Sequence, residues 1–271
     1  MSSLQAVARP LHNRLGERWT PLAVALLLCA ALILLLTLIF NNPSPSSSGY
    51  RMGVLLVDRW TTVFPYPFTI QNLEHVIFAV GLGELWVRWR TARRELAFVE
   101  QRYLPEDEHT VLQAEDLGPI RRAVSGKFDG ENGFLPSLID LCVLQFQASR
   151  SVDQTVSVLN SSLELISHRV DLRYQLSRYF SWLIPTIGFV GTVVGIAATL
   201  SVVSSGKPDL GLLAATLTVA FDTTIVALIE SAILVLLMNV VQGKEERAVN
   251  LAGQYALRNL INRLYSGKAP D

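Results

Sequence analysis

Two carboxylates stand where a hydrophobic helix would ordinarily carry none. Residues 210–241 read LGLLAATLTVAFDTTIVALIESAILVLLMNVV, a stretch long enough to cross a bilayer, with Asp222 and Glu230 both within about four residues of its midpoint. An ionisable side chain at that depth costs at least ~2.5–3.5 kcal/mol on insertion scales, so it normally faces a bundle interior or a wet pathway. Thr216, Thr223 and Glu230 are spaced by seven and share one helical stripe, while Thr224 and Ser231 form a second about 100° away. The preceding apolar block, residues 179–203, presents a complementary pattern. Gly188, Gly191, Gly195 and Ala198 make a smooth face on which another backbone can approach closely, and Thr192 and Thr199 lie beside it. Pro185 frees a carbonyl near one end and permits a hinge. Two chemistries suit this pattern: hydrogen bonding between packed helices, or a hydroxyl- and carboxyl-lined path for an ion.

Other chemistry is poorly represented. The chain has no G-x-x-x-x-G-K-[ST] phosphate loop, no H-E-x-x-H and no G-x-S-x-G, so no enzymatic activity and no catalytic residue is expected. His12, His75, His109 and His168 lack metal-ligand spacing, and no metal or cofactor is expected. His75 beside Glu74 reads either as a proton relay or as part of a capped helix at the membrane interface. Cys29 and Cys142 do not make a disulfide framework.

These residues need a membrane to position them. Of 271 residues half are apolar and only 17% charged, against roughly a quarter in ordinary soluble domains. The 23 basic and 23 acidic side chains cancel, which leaves no basic footprint for nucleic acid. The apolar residues gather in four blocks, predicted as spans over residues 21–40, 68–88, 179–203 and 210–241, since roughly 20 residues cross the hydrocarbon core. The second block is the weakest, carrying Glu74, His75 and Glu84. Twenty of the 23 basic residues lie in residues 1–20, in the long middle segment and after Val241. Basic loops stay on the cytoplasmic side, so residues 1–20, 89–178 and 242–271 are expected inside, with 41–67 as an extracytoplasmic linker and 204–209 as an extracytoplasmic turn. The fold class is therefore an all-α integral membrane protein with four transmembrane helices and long cytoplasmic helical extensions. From Pro136 to Arg178 apolar residues recur every three or four positions, which predicts one long helix running directly into the third span. A second long helix extends the fourth span inward, and the two are expected to pack together.

The two last spans resemble the MotA/TolQ/ExbB proton-channel family. Pro185-Thr186-Ile187-Gly188-Phe189-Val190-Gly191-Thr192-Val193-Val194-Gly195-Ile196 is similar to its P-x-hydrophobic-G-hydrophobic-hydrophobic-G-T-V-x-G-hydrophobic signature. Ala220-Phe221-Asp222-Thr223-Thr224-Ile225-Val226-Ala227-Leu228 resembles its A-F-x-T-T-x-x-G-L element, with Asn239 at the usual interval. The likeness covers roughly residues 175–245. The chain departs from the pattern at Ala227, where the family has glycine. In the TolQ/ExbB branch it also departs at Ile233, aligned with a proline, and at Val219, aligned with a glutamate.

The resemblance implies an inner-membrane stator subunit of a motor complex. Such subunits form a homopentamer around two copies of a single-span partner of the MotB/TolR/ExbD kind. The proton motive force drives protons, with sodium the second choice, past threonines of the last two spans. Carried over position by position, those threonines are Thr192 and Thr224. Thr223, Thr199, Asp222 and Glu230 join them as candidates for the ion pathway on the stripe pattern, with Pro185, Gly188, Gly191 and Gly195 as packing and hinge positions. The expected localisation is the bacterial inner membrane, multi-pass, with both termini cytoplasmic. The alternatives are a secondary transporter using Asp222 and Glu230, or a non-conducting envelope scaffold.

Overall fold

The computed structural model of the protein describes residues 3–41, 44, 47–59, 64–107, 109–204 and 210–265, without the side chains of residues 3–18, Val202 and Ser204. Their regular secondary structure is α-helix, with one 3₁₀ turn and one isolated β-bridge. The helices are α1 (Ser3–Ile39), α2 (Ser48–Val57), α3 (Ile70–Glu100), α4 (Leu117–Val124), α5 (Phe134–Ser149), α6 (Val152–Arg173), α7 (Gln175–Ser204) and α8 (Leu210–Asn259), followed by a 3₁₀ turn at Ile261–Arg263. The chain divides into two compact units, Met1–Val87 with Leu176–Met238 and Arg88–Gln175 with Asn239–Asp271.

Three helical stretches of the described chain are long and apolar enough to cross a membrane, Trp19–Ile39 and runs within Val152–Ser201 and Leu210–Arg263. Their outward side chains explain why. Leu27 on α1 is 70% exposed, Phe189 on α7 64% and Leu236 on α8 64%, surfaces that water would not tolerate in such numbers. The second predicted span falls on α3, which does not reach the same apolarity because Gln71, Asn72, Glu74 and Glu84 sit in it. These polar side chains are nonetheless buried. The predicted turn at 204–209 lies outside the described residues, apart from Ser204, the last residue of α7.

Pro185 does not end α7, which continues through it from Gln175 to Ser204. Residues 41–67, read from the sequence as an extracytoplasmic linker, carry a short helix. This is α2, whose start is capped by the Ser47 hydroxyl accepting from the Tyr50 amide at 3.1 Å. Its apolar positions Val54 and Val57 are buried.

The second unit has its own core: Leu117, Val124, Leu135, Leu138, Ile139, Val143 and Phe146 are completely shielded from solvent. Here the single helix predicted from Pro136 to Arg178 is corrected. It is two helices, α5 and α6, packed against each other with a break at Arg150. Arg150 takes a left-handed conformation at φ 53°, and the Ser151 side chain caps the next helix by accepting from the Gln154 amide at 3.3 Å. Apolar periodicity continued across the break because both helices bury a face in the same core. The Ser149-Arg150-Ser151 run is the local signal that stops the first helix. A further interruption at Tyr174 separates α6 from α7.

Two buried acids organise this unit. Glu95 on α3 accepts from the amides of Gly133 and Phe134 at 2.7 and 2.8 Å, satisfying the free N–H groups at the start of α5. Burial pushes its carboxyl above the ordinary range, partly opposed by those two amides. Glu245 on α8 accepts from Arg173 at 2.6 Å and from the Tyr174 hydroxyl at 2.8 Å. Burial, followed by the Glu245 charge, holds the Tyr174 phenol well above its usual value. About two turns further along α8, Gly253 leaves room for Leu163, so α6 and the tail of α8 do pack together.

Candidate functional site

The site is assembled within the first unit from α2, α3, α7 and α8. Its floor is the small-residue face of α7. A β-carbon at Gly188 would come within 2.5 Å of the Ala227 β-carbon, one at Gly191 within 2.7 Å of the Thr223 hydroxyl, and one at Gly195 within 2.6 Å of the Ala220 β-carbon. No side chain fits at any of the three, so the glycine spacing read from the sequence does bring α8 into backbone contact.

That approach joins the hydroxyls. Thr192 Oγ1 lies 2.5 Å from Thr224 Oγ1 and 2.7 Å from the Ala220 carbonyl. Thr224 Oγ1 is also 3.1 Å from the Gly188 carbonyl, and Thr223 Oγ1 is 3.2 Å from the same oxygen. A hydroxyl donates one hydrogen, so either Thr192 donates to Ala220 and accepts from Thr224, or Thr192 donates to Thr224, which passes its own hydrogen to Gly188. Two turns away Thr199 and Thr216 repeat the pairing at 2.8 Å. Thr223 is fully buried, whereas Thr192 and Thr224 are only half-buried and open to whatever lies beside the helix pair. The structure thus separates two threonines that the stripe pattern left equivalent.

The two carboxyls have distinct partners. Asp222 is buried and bridged by the Arg51 guanidinium of α2, whose Nη2 donates to Oδ1 at 2.7 Å while Nη1 donates to Oδ2. A bidentate guanidinium neutralises the aspartate where it sits. Glu230 meets His75 instead: Oε1 is 2.5 Å from Nδ1, and Nε2 is 2.7 Å from the Leu56 carbonyl of α2. Beside them lies Glu74, fully shielded from solvent, with no hydrogen-bond partner for either oxygen among the described residues. Its Oε1 is 3.3 Å from where a β-carbon on Gly188 would stand. Glu74 and His75 therefore turn into the helix bundle and do not cap an interfacial helix. Ser231 donates to the Ser181 carbonyl at 2.7 Å, a packing contact between α7 and α8.

Arg51 is the residue that pattern reading missed. Its signal was a lone cation in RMGVLLV, but nothing local says which acid it meets. Among the described residues no group of His, Cys, Asp and Glu is arranged to hold a metal ion. What the site offers is a chain of interhelical hydroxyls, with a neutralised acid on one side and an acid–imidazole–acid cluster on the other. Such an arrangement can solvate a passing cation or exchange protons.

Searches among curated proteins and among solved structures give no match. The model of the MotA/TolQ/ExbB proton channel family matches residues 134–253, from the start of α5 through most of α8. That region includes both threonine pairs and the glycine face, and it extends the likeness beyond the two spans into α5 and α6. Over residues 134–253, somewhat less than half of its length, the chain is similar to the MotA/TolQ/ExbB proton channel family.

Proposed function

We propose that the chain is the channel-forming stator subunit of an ion-driven motor in a bacterial inner membrane. In this reading it spans the membrane four times with both termini cytoplasmic. Five copies surround two copies of a single-span MotB/TolR/ExbD-like partner. Protons cross along the Thr192–Thr224 face and turn one ring of subunits against the other. The observation that carries the reading is the meeting of Thr192 and Thr224 at 2.5 Å, half-buried, beside the glycine face along which the two helices touch. Each hydroxyl has carbonyl partners of its own, so it can release its neighbour to coordinate a proton carrier and then close again without leaving a buried polar group unpaired. The driving energy is about 2.3 kcal/mol per charge per 100 mV.

Two measurements test this. Native mass spectrometry of the complex, co-expressed with a neighbouring single-span protein, should give five copies with two. Proteoliposomes carrying Thr192→Val should lose proton flux by about tenfold, the effect of one missing ion-hydroxyl interaction of ~1.4 kcal/mol. Full flux in that variant, or a monomer that never engages a partner, would overturn the proposal.

A further inference from the structure

Glu74, His75 and Glu230 lie outside the paired hydroxyls and are not needed to explain them. Their hydrogen-bond inventory has an unusual consequence. The Leu56 carbonyl can only accept, so His75 Nε2 must carry a hydrogen. The 2.5 Å contact between His75 Nδ1 and Glu230 Oε1 must then hold one proton, on one atom or the other. Without it, two lone pairs would face each other. The pair is thus either imidazolium with carboxylate or imidazole with carboxylic acid, and its net charge is zero in both forms.

Glu74 is different. It is the residue before His75, is fully buried, and has no donor for either oxygen among the described residues. It is close enough to Glu230 for the two carboxyls to repel when both are charged. The second Glu230 oxygen is also unpartnered. No other acid has both carboxyl oxygens buried without a partner among the described residues. A structural acid would have been given a donor, as Asp222 has Arg51 and Glu95 has two amides. An isolated buried carboxylate is stable only when it takes a proton.

We propose that Glu74 and the His75–Glu230 pair form a proton-binding site inside this subunit, with the Glu74 carboxylate taking up one exchangeable proton. In the loaded state Glu74 is a neutral acid and the cluster carries no charge. Unloading returns one proton to solvent or to a passing carrier and leaves one negative charge on the cluster. The groups around it are few. The α1 thiol Cys29 lies within electrostatic range of Glu230, α2 contributes the Leu56 carbonyl while its Arg51 is committed to Asp222, and α7 contributes Gly188 with no ionisable group. Among the described residues no cation is therefore fixed beside Glu74 to hold the unloaded charge.

Gly188 links this site to the threonines. Its carbonyl accepts from Thr223 and Thr224, and its α-carbon side abuts the Glu74 carboxyl. On the channel reading above, a cation arriving at Thr192 and Thr224 supplies the positive charge that lets Glu74 give up its proton. Proton binding itself does not rest on that reading.

The test is infrared spectroscopy of the full-length protein, assembled with its partner where one exists, at neutral pH. The wild type should show a carboxylic-acid carbonyl band that shifts in heavy water. Glu74→Gln should remove one acid equivalent per chain from it, and Thr192→Val should leave it unchanged. Should the glutamine variant fail to assemble, Glu74→Asp keeps an acid in altered surroundings and shifts the band if Glu74 carries the proton. A band that is absent in the wild type, or identical in Glu74→Gln, or unmoved in Glu74→Asp, overturns the proposal. A lost band without proton flux in the wild type would leave the site standing and remove the channel. Flux abolished by Thr192→Val with the band indifferent to Glu74 would do the reverse.

Discussion

Gly188→Ala should damage this protein more than its single methyl suggests. The added β-carbon would stand 2.5 Å from the Ala227 β-carbon, 3.2 Å from the Thr223 carbonyl and 3.3 Å from Glu74 Oε1. Carbon atoms rest at about 3.5–4.0 Å, so α7 and α8 must separate by roughly 1 Å at that level. The first two of these obstacles cannot rotate away, because one is a β-carbon and the other is backbone. At Gly191 the nearest carbon is the Thr223 β-carbon at 2.9 Å, so the carbon overlap to be relieved is smaller. Overpacking of this kind costs about 1–3 kcal/mol, and Gly188→Ala should fall at the upper end with Gly191→Ala below it. The same separation would stretch the 2.5 Å Thr192–Thr224 contact past hydrogen-bonding range. Thermal unfolding of the complex in mild detergent reads the first effect and proton flux in proteoliposomes the second. Adding Ala227→Gly, which removes the nearest obstacle, should recover part of both losses. If Gly188→Ala unfolds at the wild-type temperature and conducts normally, the backbone contact is not what sets the hydroxyl pairing, and the argument fails.

Two predictions concern the second unit. Folding raises the proton affinity of Glu95, so the folded state binds more protons than the unfolded chain above the ordinary carboxylate range. Its stability contribution is present at low pH and declines as pH rises through the folded value; Glu95→Gln should flatten that slope in a pH series of thermal melts. Removing one partner of a buried ion pair costs about 3–5 kcal/mol. Arg173→Met, which strands Glu245 with only the Tyr174 hydroxyl, should therefore lower the melting temperature clearly more than Tyr174→Phe. Equal effects would mean that the charge is not the dominant partner.

Much of the helical architecture follows from repeats that a helix imposes on its own neighbours. The glycine step in α7 and the seven-residue hydroxyl spacing in α7 and α8 are local patterns, legible because residues three, four and seven apart share a face whatever the rest of the chain does. The apolar length of α1 and the place of Thr192 beside the glycine face were readable for that reason. The same rule misled at Arg150. Helical periodicity reports which face is buried and not whether the helix is unbroken, and α5 and α6 bury their faces in one core.

The partners of the buried charges are another matter. Asp222 and Glu230 announced themselves by type, but Arg51 lies 171 residues from the first and His75 155 from the second. No spacing rule reaches that far. The pairing depends on α2 and α3 being laid beside α8, and a buried charge is neutralised by whichever group the fold delivers. For the same reason Glu74 and His75, adjacent in the chain, have different fates: the turn of the helix gives one a carboxyl and a carbonyl, and the other nothing. The sequence by itself determined the apolar helices, the faces they bury and the presence of acids among them. Only the tertiary structure decided which acids are neutralised and which is left to take a proton, because charge compensation is settled by contacts through space.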